Sequence, residues 1–122
     1  KAAGLRKNFW EAVNNQAIVL FEQGRRSEAI GRWRKALEIS SDAAEPSLAL
    51  AAALYSESKT STETINLAIQ ALVKEPDYVL DAYQKDQLWG AKLRQATQVM
   101  FLDERLRGSV DRAMGMAGFK EE

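Results

Sequence analysis

The chain has 122 residues, of which 46% are hydrophobic, so it is long enough to form one domain with its own core. Lys plus Arg and Asp plus Glu both number 17, and the resulting zero net charge lacks the bulk field that favours nucleic acid or anionic membrane. The absence of Cys and His excludes disulfides, thiolate chemistry and imidazole ligands or bases.

Two amphipathic helices around a turn at Gly24 are predicted in residues 8–42. The first should run from an N-cap at Asn8 to Gln23, and its apolar residues repeat every three or four positions: Trp10, Val13, Ala17, Leu20 and Phe21. The second, from about Arg26 to Ser40, repeats the pattern in Ala29, Ile30, Trp33, Ala36, Leu37 and Ile39. Each helix must bury its stripe, so the two should pack antiparallel. The side chains of Trp10, Trp33 and Trp89 should lie mainly in the core or between repeats.

This stretch resembles a tetratricopeptide (TPR) repeat. Val13, Gln16-Ala17 and Leu20 stand at the key positions of the family's first helix, and Ala29, Trp33 and Ala36 at those of its second. Gln16 replaces the usual leucine and Ser41 the usual proline. Small residues let helix axes approach closely, so Ala36, and Ala71 further along the chain, should be deeply buried. The alternative is that this stretch is a helical hairpin with an alanine-rich seam that does not belong to this family.

A second copy is predicted in residues 43–77. Ala36 and Ala71 are 35 residues apart, as are Val13 and Leu48, and we place the residue in excess of the family's 34 in the connector 40–45. On this alignment Leu48, Ala51, Ala52 and Tyr55 match the first copy, and Lys59 replaces the turn glycine. Pro46 fits the first turn of the third helix, and Thr60–Glu63 has the form of a capping box for the fourth.

Residues 78–102 are predicted to form a degenerate third hairpin, with periodic helical stretches from Tyr78 to Trp89 and from Lys92 to Leu102, on either side of Gly90. Residues 103–117 should form a C-terminal helix that caps the stack. The resemblance therefore implies an all-α fold. Specifically, it implies a TPR-like right-handed helical solenoid that forms a single domain over residues 1–122.

Part of the chain is also similar to a narrower group, the small TPR proteins of cyanobacteria and the chloroplast lumen. The similar residues are Leu88-Trp89-Gly90, followed by Lys92 and Arg94, and the segment 33–37. This similarity implies a soluble interaction protein of the thylakoid lumen or periplasm, such as an assembly factor; a cytoplasmic location is the alternative. The chain begins at Lys1 without Met, so removal of a targeting segment stays an open alternative.

In the TPR family, partners bind in the concave groove lined by the first helix of each repeat. By this analogy we expect a protein or peptide segment to bind at Asn14, Ile18, Phe21, Ala49, Ala53, Tyr83 and Gln87. Ile18 and Phe21 should then be exposed apolar surface suited to an apolar segment. A clamp for acidic tails is not expected, because Ala49, Ala53 and Gln87 supply no cation. The C-terminal helix or a second copy of the chain could fill the groove instead.

No enzyme activity or cofactor is expected, because the sequence has no glycine-rich phosphate loop and no nucleophile elbow. Asp81, Asp86, Asp103 and Glu104 lack the spacing of a calcium loop, so we interpret them as solvated residues and expect no metal.

The alternative function is nucleic-acid or anionic-surface binding through a basic helix face formed by Arg25, Arg26, Arg32, Arg34 and Lys35. A simpler interpretation of this face is an outward surface paired partly with Glu28 and Glu38.

Overall fold

The structure, a computed structural model, describes the backbone of residues 2–117 and the side chains of residues 9–117. It contains α1 (Ala2–Glu22), α2 (Arg26–Ile39), α3 (Ala44–Ser56), α4 (Thr62–Lys74), α5 (Asp81–Asp86), α6 (Ala91–Met100) and α7 (Arg107–Met116). Short 3-10 helices, Pro76–Val79 and Glu104–Leu106, precede α5 and α7. No strand occurs in the described residues, so the all-α prediction is confirmed. None of these helices has both the length and the hydropathy needed to cross a membrane.

The same turn ends α1, α3 and α5. Gly24, Ser58 and Leu88 each have a positive φ, of 84°, 64° and 71° respectively. After each of them, the next N–H bonds to the carbonyl five residues earlier, as from Arg25 to Leu20 at 2.9 Å. This is the Schellman motif, which satisfies carbonyls at a helix end. Ser58 follows Gly24 by 34 residues, so α3 repeats α1 with an offset of 34.

The placement of the extra residue in the connector 40–45 is therefore wrong. The last turns of α2 and α4 end in equivalent bonds, to the carbonyls of Ala36 and Ala71, with an offset of 35. The extra residue must lie between α3 and α4. Sequence alignment missed it because the left-handed turn position is a serine, so Lys59 was matched to Gly24. In the corrected register, the small residue Ala17 corresponds to Ala51.

Two predicted helix starts are also wrong. The backbone of α1 is helical from Ala2, well before Asn8, whose side chain lies outside the described residues. The capping box does not form, because α4 begins at Thr62 and its N-cap residue Ser61 makes no side-chain cap bond. The longer turn displaces Thr60 from the cap position. The Thr64 hydroxyl instead donates to the carbonyl of Lys59 at 2.7 Å.

The central helix of the fold is α3. It packs against α2, α4 and α6, and every residue from Pro46 to Leu54 is buried. Alanine fills positions 49, 51, 52 and 53, which keeps the helix narrow enough for its neighbours to approach closely. The polar residue in this stretch, Ser47, donates its hydroxyl to the Leu67 carbonyl of α4 at 2.8 Å.

The last third of the chain departs from a hairpin. The helix expected from Tyr78 to Trp89 is split into the 3-10 helix Pro76–Val79 and the six-residue α5, because Leu80 between them is extended. α6 then packs against α3 and α1, whereas α7 packs against α4 and that 3-10 helix. The predicted C-terminal helix 103–117 is likewise divided into a 3-10 helix and α7.

A polar cluster joins the end of α3 to the segment after α6. The Asp103 carboxylate accepts the Tyr55 hydroxyl at 2.9 Å and two N–H groups of the Arg105 guanidinium at 2.9 Å each. Arg105 also donates to the Thr60 carbonyl at 3.0 Å. Bonds from the Arg105 side chain, then from its backbone and from Tyr55, hold the pKa of Asp103 well below its usual range.

Ala36 and Ala71 are 0% and 1% exposed, which confirms their predicted burial. Ala36→Leu should lower the free energy of unfolding by roughly 1–3 kcal/mol, because the added carbons overpack a filled seam. Ala12→Leu, on the exposed side of α1, is the control and should change it by less than about 0.5 kcal/mol. Urea denaturation measures both values, and equal effects would contradict the tight seam.

Asp103→Asn should lower stability at pH 7. Because the folded-state pKa of Asp103 is depressed, its carboxylate stabilises the fold above the unfolded pKa of about 3.9. That stability is lost as the pH falls from there towards the folded-state pKa. The difference between wild type and Asp103→Asn should therefore shrink in urea titrations below about pH 4. Asp111→Asn, exposed on α7, is the control; a constant difference across pH would exclude this role of Asp103.

Candidate functional site

Five of the seven predicted groove residues are buried. Asn14, Ile18, Phe21, Ala49 and Ala53 are all 6% exposed or less, so the prediction that Ile18 and Phe21 form an exposed surface is wrong. α6 packs against α1 and α3, the two helices expected to line the groove, and Asn14 and Phe21 also contact Trp33 of α2.

Asn14 has a partner inside the protein. Its side-chain oxygen accepts the indole N–H of Trp33 at 2.9 Å, and both residues are buried. The Trp33 ring also lies 6.0 Å from that of Phe21, measured between centroids. Asn14 thus joins α1 to α2 in the core, where a ligand carboxylate does not reach it. The predicted burial of Trp33 and Trp89 is confirmed, whereas Trp10 is partly exposed.

The corrected register does not open the groove either. With an offset of 34, the α3 positions equivalent to Asn14, Ile18 and Phe21 are those at 48, 52 and 55. Leu48 and Ala52 are fully buried, and the hydroxyl of the partly exposed Tyr55 is bonded to Asp103.

Glu22, at the end of α1, fixes the start of α6. Its two carboxylate oxygens accept the backbone N–H groups of Lys92 at 3.1 Å and Leu93 at 2.9 Å. Free N–H groups in a first helical turn carry partial positive charge, so a carboxylate there is stabilising. Gly90, the N-cap residue, lies against the Glu22 side chain, and a Cβ at Gly90 would overlap it. No pattern in the sequence indicates this contact, because it joins residues 70 positions apart.

A second contact holds the segment before α6. The Trp89 indole donates to the carboxylate of Glu45 in the first turn of α3, at 3.0 Å. Tyr78 stacks on Trp89 with 5.7 Å between ring centroids. Burial, with the charge of the nearby Glu45 carboxylate as the next cause, raises the pKa of Tyr78 well above its usual value. Trp89 and Tyr78 thereby anchor the third segment on the N-terminal end of α3.

Tyr83 and Gln87 are the two predicted groove residues that remain partly exposed. The Tyr83 ring meets the ring of Tyr78 edge-on at 4.9 Å, and Gln87 ends α5. Tyr83 therefore packs on the Tyr78–Trp89 anchor. Nearby, Gln84 is buried and donates to the Tyr78 carbonyl at 2.7 Å, while its side-chain oxygen has no partner among the described residues.

An open cleft remains beside α6, between the end of α1, the start of α2 and the end of α3. We call it the α6 cleft; its volume is about 470 Å³, and its lining includes Phe21, Arg26, Ser56, Lys92, Ala96 and Val99. Val99 is 52% exposed, and Arg26 and Lys92 are exposed. Phe21 belongs to the predicted groove and Arg26 to the predicted basic face. Lys92, Ala96 and Val99 belong to neither, because the sequence pattern assigns their helix to a third hairpin.

The basic helix face is exposed, as expected, and part of it is paired. Arg25 donates to Glu28 at 3.0 Å, and Arg34 reaches Glu63 of α4 at 3.0 Å. The predicted pairing with Glu28 is therefore present, but no ion pair with Glu38 occurs within residues 9–117.

Of the four acidic residues considered as metal ligands, two form ion pairs with arginines. Asp81 pairs with Arg94 at 3.2 Å, and Asp103 pairs with Arg105. In the described part of the chain, no three His, Cys, Asp or Glu residues are grouped so that they could hold a metal ion.

A double-mutant cycle tests the Glu22 cap. Glu22→Ala should cost about 1–2 kcal/mol of unfolding free energy, because two N–H groups of α6 lose their acceptor. Gly90→Ala should cost roughly 1–3 kcal/mol in wild type and at least about 1 kcal/mol less in Glu22→Ala, where the clash is gone. Gly31→Ala, with open space around it, should stabilise the protein by about 0.5–1 kcal/mol. If the costs of Glu22→Ala and Gly90→Ala are additive, a Cβ at position 90 does not contact the Glu22 side chain.

Comparisons with known proteins assign no family to this chain: no protein-family model, no curated protein and no solved structure matches it.

Proposed function

We propose that this protein is a TPR-like interaction scaffold that binds a segment of a partner protein in the α6 cleft. Two observations support the TPR-like part: turns of the same type recur at Gly24 and Ser58, 34 residues apart as in the family repeat, and alanines are buried between the hairpin helices. The narrower resemblance adds the proposal of an assembly factor in the thylakoid lumen or periplasm.

The observation that carries the binding proposal is the α6 cleft itself. Its volume of about 470 Å³ lies within the range of about 300–1,000 Å³ found for ligand sites. Phe21 lies in its wall, and Val99 is half-exposed at its edge. Exposed apolar area gains roughly 25 cal/mol per Å² when a partner covers it, so an apolar side chain of a partner would bind here favourably.

The alternative, anionic-surface binding by the basic face, has weaker support because Arg25 and Arg34 already pair with carboxylates. The dependence of binding affinity on salt concentration distinguishes the two functions. Phosphate binding releases counterions and weakens steeply as salt rises, whereas binding to an apolar cleft changes much less.

Val99→Glu should abolish peptide binding or weaken it at least about tenfold, because a charge would replace an apolar contact worth about 1.4 kcal/mol or more. The measurement is selection from a random peptide library on immobilised protein, followed by titration of the selected peptides. Val19→Glu is a matched control, since Val19 is 55% exposed on α1 and lies outside the cleft lining.

Peptides that bind wild type and Val19→Glu but not Val99→Glu would support the proposal. Selected peptides that bind all three proteins equally would place binding elsewhere. A library that yields no binder would reject the peptide-binding function. Self-association that Val99→Glu abolishes would identify a second copy of the chain as the occupant instead.

A further inference from the structure

Resting on the proposed function, we propose that the α6 cleft selects an acidic segment with one apolar anchor. The anchor contacts Phe21, Ala96 and Val99, and a carboxylate about three residues from it binds Lys92 and Arg26. The expected partner is therefore an acidic peptide segment, in contrast to the apolar segment expected from the sequence. The cations that would bind it, Lys92 and Arg26, lie outside the predicted groove, whose positions 49, 53 and 87 supply no cation.

Two unpaired cations lie at the cleft. Lys92 stands in the first turn of α6, and Arg26 is the first residue of α2. Within residues 9–117, neither side chain makes an ion pair or a side-chain hydrogen bond. Other cations do pair, as Arg25 does with Glu28 and Arg94 with Asp81. A cleft with two free cations at its edge favours a ligand with negative charge.

The Glu22 carboxylate does not form an ion pair with the Lys92 side chain. Both oxygens of Glu22 are occupied by the backbone N–H groups of Lys92 and Leu93, so Glu22 caps α6 instead of pairing with the Lys92 ammonium. On the other side, the N-cap residue of α2, Arg25, makes no side-chain cap bond. The first turn of α2 carries a partial positive charge, which Glu28 reduces. This charge adds to the positive charges of Arg26 and Lys92.

The arrangement along α6 sets the spacing in the ligand. Lys92, Ala96 and Val99 are four and three residues apart, so they lie along one side of the helix. Lys92 and Val99 are then separated by roughly 10 Å along the helix axis. An extended segment covers about 3.3 Å per residue, so its acidic residue and its apolar anchor should be about three positions apart.

The test compares peptides selected from the same random library on wild-type protein. The selected peptides should contain Asp or Glu about three positions from a large apolar residue. Their affinity should fall at least tenfold for Lys92→Glu and for Arg26→Glu, and less for Lys92→Gln, which keeps the length but loses the charge. Lys85→Glu is the control, because Lys85 is exposed on α5 and does not line the cleft.

The reverse experiment uses a selected peptide in which lysine replaces the acidic residue. This peptide should bind Lys92→Glu more tightly than it binds wild type, which also shows that this variant is folded. Peptides without an acidic residue, or with equal affinity for wild type and both glutamate variants, would overturn the acidic preference and leave the proposed function intact. Failure to select any peptide would overturn both.

Discussion

The burial of α3 on all sides is the constraint on which the other helices depend. A helix without a solvent-facing side can carry few polar groups, and the polar residue within Pro46–Leu54, Ser47, is bonded to the carbonyl of Leu67. α2 and α4 cover α3 within the two hairpins, but two hairpins alone leave one of its sides open. α6 closes that side and at the same time covers part of α1. The third segment therefore serves the core instead of extending a row of hairpins.

Polar contacts near the N-terminal end of α6 determine where it lies. The Glu22 carboxylate holds its first turn, and the Trp89 indole, just before it, is bonded to Glu45 of α3. Each contact joins the third segment to a helix of a different hairpin. The cleft follows from this placement: α6 begins close to Glu22, so Lys92 comes to lie on the same cleft as Arg26 at the start of α2.

Hydrophobic periodicity, together with the resemblance to a helical repeat, was enough to predict an all-α chain, a turn at Gly24 and the burial of Trp33, Ala36 and Ala71. It could not locate the binding site. The stripe on α6 predicts that this helix packs on something, but Leu93 and Met100 fit a hairpin partner as well as they fit α3. The turn at Ser58 was misplaced because residues with a Cβ rarely adopt a positive φ, so nothing in the sequence marked it.

The covering of α3 by a later helix also bears on how each chain is made. Synthesis proceeds from the N-terminus, so α3 is complete well before residues 91–100 exist. During that interval the first four helices can pair with one another, but the side of α3 that α6 will cover stays open to water. That side is lined by leucine and alanine, and other nascent chains can reach it. A delay in translation between α4 and α6 would prolong the period in which newly made chains are prone to aggregate.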